Sequence, residues 1–252
     1  MKSSKWVAFA GAGIACGLIT TLAGCPALSP STTPSTSPTS NPSSGGGTSY
    51  NVGDYFFPPS ATIQLLYTVT GTYSWPTGDN FAVAGDATQS VLSWSSHLAV
   101  AQEDMAFSLQ TPQGTTVSTS TKVATLSLNP DGSMTDSEGS GQGSDVTTFP
   151  ANLFNGSPLT VSPASGDISL TTAQFLGAES VTVPAGTFDA IKIQVDQASD
   201  SSGQSTQITR WYSKNMDFVK MIAISTGSVQ TGANSTGVAT MSLQAVLRSF
   251  TR

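Results

Sequence analysis

The sequence predicts an all-β fold, or a β-rich one with at most a turn or two of helix. It takes the form of one strongly curved, half-barrel-like antiparallel sheet with mostly meander connections. Three observations carry this. Long runs alternate apolar and polar residues with a period of two, which gives a strand one buried and one wet face. The runs are separated by proline-then-glycine turns, and only 10% of the 252 residues are charged while serine, threonine and glycine abound. Outside the first 24 residues no window carries a 3.6-residue apolar stripe.

The most strongly patterned stretch runs from Glu179 to Ile224. At its centre Val183-Pro184-Ala185-Gly186-Thr187-Phe188 reads as a bulged hairpin, because proline presets the first corner of a type I turn and glycine accepts the left-handed conformation that closes it. Beyond it Ile191, Ile193 and Val195 alternate with Lys192, Gln194 and Asp196. Facing Val183 with Thr187 sets Val181 opposite Asp189 and Glu179 opposite Ile191, which mixes acid into the apolar face.

In chain order, Asp54 to Pro59 reads as an irregular aromatic plug. A long strand follows, in which Ala61, Ile63, Leu65, Tyr67, Val69 and Tyr73 alternate with Thr62, Gln64, Thr68, Thr70 and Thr72, with Leu66 as the departure. Leu92, Trp94, Leu98 and Val100 are read along one side of a second strand that has Ser93, Ser95 and His97 on the other. Met105, Phe107 and Leu109 mark a third, and Thr115–Leu128 a fourth that ends in Asn129-Pro130-Asp131-Gly132, a second bulged hairpin. Ser133–Asp145 reads as a long loop, and Phe149–Pro163 as a proline-broken linker over one end of the sheet. Strands at Gln207–Ser213, Phe218–Ser225 and Val238–Phe250 complete the domain.

The chain divides into three parts. Residues 1–24 form a basic n-region and an apolar stretch of the secretory type. They end in Leu22-Ala23-Gly24 before Cys25, a tetrapeptide that resembles the lipobox of bacterial lipoproteins, and that resemblance implies acylation of Cys25 with palmitate-class chains and cleavage before it, with a retained transmembrane anchor or ordinary cleavage as the alternative reading. Residues 25–49 carry proline at every fourth position from Pro26 to Pro42, then Gly45-Gly46-Gly47. Such a composition cannot offset its ordering entropy, so it is a tether with a reach on the order of 70 Å. Residues 50–252 are the β-domain.

Localisation follows from the anchor. The lipid on Cys25 makes the membrane a partner, with multiple acyl chains giving stable attachment. Pro26, where lipoproteins retained in the inner membrane commonly have Asp, leans towards the outer membrane in a Gram-negative cell, and otherwise the outer face of the cytoplasmic membrane is expected. Removing residues 1–24 takes Lys2 and Lys5 with it, leaving seven basic and fifteen acidic side chains and a formal charge of −8. An acidic chain without a basic cluster is not built for nucleic acid. The two cysteines, Cys16 and Cys25, both precede the domain, so it has neither disulfide nor thiolate metal site, and no cofactor is expected.

Glu179 to Ile193, then Trp211-Tyr212-Ser213 and Asp217-Phe218-Val219-Lys220, resemble a pattern in uncharacterised bacterial envelope lipoproteins with a LolA/LolB-like curved sheet around an apolar concavity. In related sequences the place of Lys214-Asn215-Met216 often carries glycines. The resemblance implies a fold and no catalytic residue. Trp94, Phe188, Trp211, Tyr212 and Phe218 are a candidate lining for an acyl chain or other apolar ligand, although aromatics on strands also serve as plain core. Asp131, Asp136 and Glu138, with Asp145, are a weak candidate for calcium, with a solvated loop as the alternative reading. His97 is the one histidine. There is no Gly-x-Ser-x-Gly elbow to serve it, so a hydrolase ranks below both other expectations. These are a non-catalytic lipoprotein that binds an apolar ligand or an unknown envelope protein, and a structural or adhesive protein with a filled core.

Overall fold

Leu65, Tyr67, Val69 and Tyr73 all turn inward from one strand and are at most 6% exposed, while Gln64, Thr70 and Thr72 between them face water. The same division holds on the last strand, where Ala239, Met241, Leu243, Ala245 and Leu247 are buried. Rolling such strands edge to edge puts every apolar face into one interior. The computed structural model describes residues 48–111, 114–138, 145–154, 158–162, 170–198, 205–231 and 235–252. The expectations for the signal, Cys25, most of the tether and residues 139–144 lie outside the described residues.

The elements are β1 (Tyr50–Asn51), α1 (Val52–Phe56), β2 (Gln64–Ser74), β3 (Asn80–Trp94), β4 (Leu98–Thr111), β5 (Gly114–Leu128), β6 (Met134–Glu138), β7 (Asp145–Phe149), β8 (Asn152–Leu153), β9 (Pro158–Ser162), β10 (Leu170–Val183), β11 (Gly186–Ala198), β12 (Ser205–Ser213), β13 (Asp217–Gln230) and β14 (Thr236–Thr251). All pairings are antiparallel. The expected meander is present, strongly curved, and β14 returns to pair with β2. The short strands β6, β7 and β9 bridge from β5 to β10 and complete the ring.

Two glycines sit where neighbouring strands crowd together. Gly71 on β2 and Gly85 on β3 sit diagonally, Gly71 paired with Val83 and Gly85 with Val69. A Cβ on Gly71 would lie 2.2 Å from Ser242 O, and one on Gly85 2.1 Å from Ala106 O. Neighbouring backbones approach there more closely than any side chain allows.

One end of the ring holds the β3–β4, β5–β6, β10–β11 and β12–β13 turns, the C-terminus and the entry of the chain from the tether. The β2–β3 turn lies at the other end. At the tether end β1 pairs with β8, and α1 stoppers the opening. Asn51 caps the helix by accepting from Gly53 N, at 3.0 Å. Phe56 packs against Phe149 and Tyr212 with ring centroids 4.6 and 4.2 Å away. This is the expected aromatic plug, partly helical.

The turns follow their residues. In the β5–β6 turn Asn129 N donates to Ser133 O and Gly132 N to Asn129 O, at 2.8 and 2.9 Å, with Gly132 at φ 82. That is the second bulged hairpin. In the central hairpin Gly186 has φ 140, but the register differs from the sequence expectation by one residue. Val183 pairs with Gly186, Val181 with Phe188 and Ser180 with Asp189. Asp189 therefore lies exposed opposite Ser180, whereas Glu179 stays on the side of Val181 and Val183, opposite buried Ala190, where its carboxylate accepts from Trp211 Nε1. At the β12–β13 turn Asn215, within the expected glycine stretch Lys214-Asn215-Met216, and Asp217 just after it adopt φ 59 and 87, and Asn and Asp are the residue types besides glycine that best tolerate that region.

Three other readings are corrected. Leu92 to Val100 is no single strand, because β3 ends at Trp94 and β4 starts at Leu98. Ser95 makes that turn, its N donating to Leu98 O (2.8 Å) and its Oγ accepting from Leu98 N (3.1 Å). The stretch read as a long loop, Ser133–Asp145, contains β6 and reaches the first residue of β7, and the proline-broken linker contains β8 and β9.

Candidate functional site

Inward-facing positions are mostly apolar, but one sector of the wall is not. Gln89 from β3, Glu103 from β4, Lys122 from β5, Asp136 from β6, Arg210 from β12 and Asp217 from β13 converge on an internal cavity, floored by Phe56, Tyr212 and Phe218. The strand period puts them there. Ile208, Arg210 and Tyr212 share one parity, with Ile208 and Tyr212 buried, so Arg210 points in with them.

Asp217 is the pivot. It accepts from Gln89 Nε2 and, at 2.6 Å, from Phe218 N. Gln89 Oε1 in turn accepts from the Tyr67 hydroxyl at 3.1 Å, and that hydroxyl also reaches Phe218 O at 2.9 Å. Burial pushes the Asp217 carboxyl up to about 6, against the opposing pull of the bonds from Gln89 and Phe218 N and of the Arg210 charge. Burial likewise raises the Tyr67 and Tyr212 phenols well above their ordinary value. The Arg210 guanidinium stands 5.3 Å from the centre of the Phe218 ring, a cation–π contact in a desolvated setting.

The cavity measures about 60 Å³. That is room for a few waters, whereas drug-sized ligands need about 300 Å³ or more. Cations and carboxylates of both signs surround it, which suits a self-compensating buried network. Among the described residues no group of three or more His, Cys, Asp or Glu side chains is placed to hold a metal.

The structure distributes the expected aromatic lining widely. Tyr212 and Phe218 are in the interior. Trp211 lies on the opposite side of β12 from Tyr212, yet it too is buried, at 6% exposure, between Lys192 on one side and Lys220 on the other. Their ammonium groups stand 5.1 and 4.7 Å from its ring, and its Nε1 donates to Glu179 Oε1. Phe188 is half-buried at the tether end against Phe250, at 6.4 Å. Trp94 is 41% exposed on the rim, its Nε1 donating to Pro58 O at 2.8 Å.

The acidic set is divided too. Asp131 sits at the surface in the β5–β6 turn, where its carboxylate accepts from Ser133 Oγ and Ser133 N at 2.6 and 2.9 Å. Those bonds hold it below the usual carboxylate range. Asp136 faces the internal cavity. The side chains of Glu138 and Asp145 lie outside the described residues. His97 is exposed in the β3–β4 turn, with Nδ1 2.7 Å from the hydroxyl of its neighbour Ser96. A hydrolytic triad needs a carboxylate to orient the base, and this turn provides a second hydroxyl instead.

The family described as DUF3108-like matches residues 158–223. That span is about a quarter of the chain and contains the central hairpin, Trp211 with its two lysines, and Asp217. No curated protein matches. Two solved structures are similar. One is a candidate lipoprotein from Parabacteroides distasonis ATCC 8503, at 14% identity and TM-score 0.42 over 79% of this chain and 99% of that one. The other is a candidate exported protein with a YmcC-like fold from Bacteroides fragilis NCTC 9343, at 14% identity and TM-score 0.43 over 79% of this chain and 100% of that one.

Proposed function

We propose that this chain is an exported lipoprotein held to a membrane by acyl chains on Cys25, and that its β-domain is a non-catalytic module meeting an envelope partner through its outer surface. In a Gram-negative cell the membrane is the outer one. The supporting observation is the packing of the inward aromatics among the described residues. Of the five candidate lining aromatics, Tyr212 and Phe218 face inward and pack against Phe56 and Tyr67, and the space beside them, about 60 Å³, is lined by apolar and charged side chains together. An acyl-chain carrier needs an apolar void several times larger. The wall also has the opposite polarity to a membrane-spanning barrel, which turns its apolar side to lipid; here Gln64, Thr70, Thr72, Ser242 and Gln244 face outward.

The test uses the chain extracted from membranes in mild detergent. Labelled palmitate is expected to enter it and to be lost in Cys25→Ala. Native mass spectrometry is expected to show a bound protein and no apolar small molecule in the domain. A fatty acid or lipid retained by Cys25→Ala replaces this reading with ligand carriage.

A further inference from the structure

Eight large hydrophobic side chains are exposed among the described residues: Leu92, Trp94, Leu98, Val117, Phe154, Ile224, Val238 and Phe250. Their placement is uneven. Leu92, Trp94 and Leu98 flank the β3–β4 turn, Phe154 follows β8, and Phe250 lies near the end of β14. All five are at the tether end, and they include every aromatic in the set. The three remaining residues are scattered aliphatics.

The β3–β4 hairpin also overhangs β2. Ser90 pairs with Gln64, the first residue of β2, so β3 runs four residues past that strand before turning, while on the other side the hairpin stays paired with β5 as far as Leu98 and Ser127. At about 3.3 Å per residue that overhang is on the order of 10 Å. Its apolar tip is braced by the Trp94 indole bond to Pro58 O, 2.8 Å, within ten residues of where the tether meets the domain. On the same rim Arg252 stacks on Phe250 at 5.5 Å.

We infer that this rim, led by Leu92, Trp94 and Leu98, docks into the interfacial layer of the bilayer that holds the acylated Cys25. The inference rests on the anchoring proposed above and adds an orientation to it. Tryptophan and arginine are the side chains suited to the headgroup layer, where one part of the side chain is apolar and another wet. The occupant is set by the chain itself. The segment between Cys25 and residue 48 ends at this face, so the nearest apolar phase is the membrane at its other end. Attachment at Cys25 makes the encounter of rim and bilayer intramolecular, so contacts too weak to bind a vesicle alone suffice.

The experiment reconstitutes the acylated mature chain into vesicles of phosphatidylethanolamine and phosphatidylglycerol with brominated acyl chains, and reads tryptophan quenching. The tryptophans beyond residue 24 are Trp75, Trp94 and Trp211, and Trp75 lies in the turn at the far end. Bromine-dependent quenching is expected in the parent chain and in Trp75→Phe, and is expected to vanish in Trp94→Phe. Chains that sediment with vesicles but keep Trp94 unquenched overturn the docking while leaving the anchor in place. If such chains cross-link to one another through the rim, the face belongs to a second copy. Chains that fail to sediment overturn the anchor, and the docking with it.

Discussion

Asp217 and Gln89, 128 residues apart in sequence, meet inside the barrel, where the Gln89 amide donates to the Asp217 carboxylate. The bond ties β3 to the start of β13 across the interior. It also joins a backbone held at φ 87 to the Tyr67 hydroxyl through one side chain.

The first prediction concerns pH. Burial raises the Asp217 carboxyl from 3.8 to about 6, so the folded chain binds this proton more tightly than the unfolded chain. The contribution of this group to stability therefore grows as pH falls from 7 towards 5, reversing the usual behaviour of a paired carboxylate. Urea melts are expected to show a gain of about 1 kcal/mol from this group between pH 7.5 and pH 5. Asp217→Asn, which tolerates the same backbone, is expected to lose that gain; an unchanged slope assigns it to other groups.

Trp211 should contribute to stability from the outside of the wall. Replacing it with Leu removes the contacts with Lys192 and Lys220 and the bond to Glu179, and is expected to cost about 2 kcal/mol. Lys192→Gln or Lys220→Gln should each cost about 0.5–1 kcal/mol. Chemical denaturation of the three variants checks the order.

At the curved seam, Gly71→Ala puts a methyl group within 2.2 Å of Ser242 O. A loss of about 2 kcal/mol is expected, read as a lower urea midpoint at unchanged slope. Parent-like stability would mean that the strands are not crowded there.

Phe56→Ala removes the ring that packs between Phe149 and Tyr212 and opens the small internal cavity into a larger apolar one. The cost is expected to be about 3–5 kcal/mol. The variant is also expected to bind a fluorescent apolar dye that the parent chain does not.

Much of the fold was legible because alternation and turn chemistry are local. Strand parity in β2 and β14, the plug, and the turns at Gly132 and Gly186 follow from neighbouring residues. The β3–β4 turn did not show because Ser95, Ser96 and His97 carry neither proline nor glycine; Ser95 makes the corner with its own hydroxyl. Register across the central hairpin was one residue off because a two-residue connection, Pro184-Ala185, replaces the expected three.

The polar interior was hidden for a different reason. Glu103, Asp136 and Arg210 come from three strands, and nothing local tells a charged side chain facing in from one facing out. One signal was available. Trp211 and Tyr212 are consecutive in a strand and cannot both face inward, so choosing Tyr212 as the core residue would have sent Arg210 inside and Trp211 out.

The plug has a mechanical consequence. The tether does not pull on the barrel directly: its end enters β1, held to β8 by a two-residue pairing, and then α1, fastened by Val52 N to Ala151 O, Asn215 N to Asp54 O and the Lys214–Asp54 ion pair. With the chain anchored as proposed above, tension is expected to peel these contacts before it loads β2, which is paired along its length with β14 and β3. The stopper thus yields first and spares the wall, lengthening the leash by several residues while the barrel stays shut.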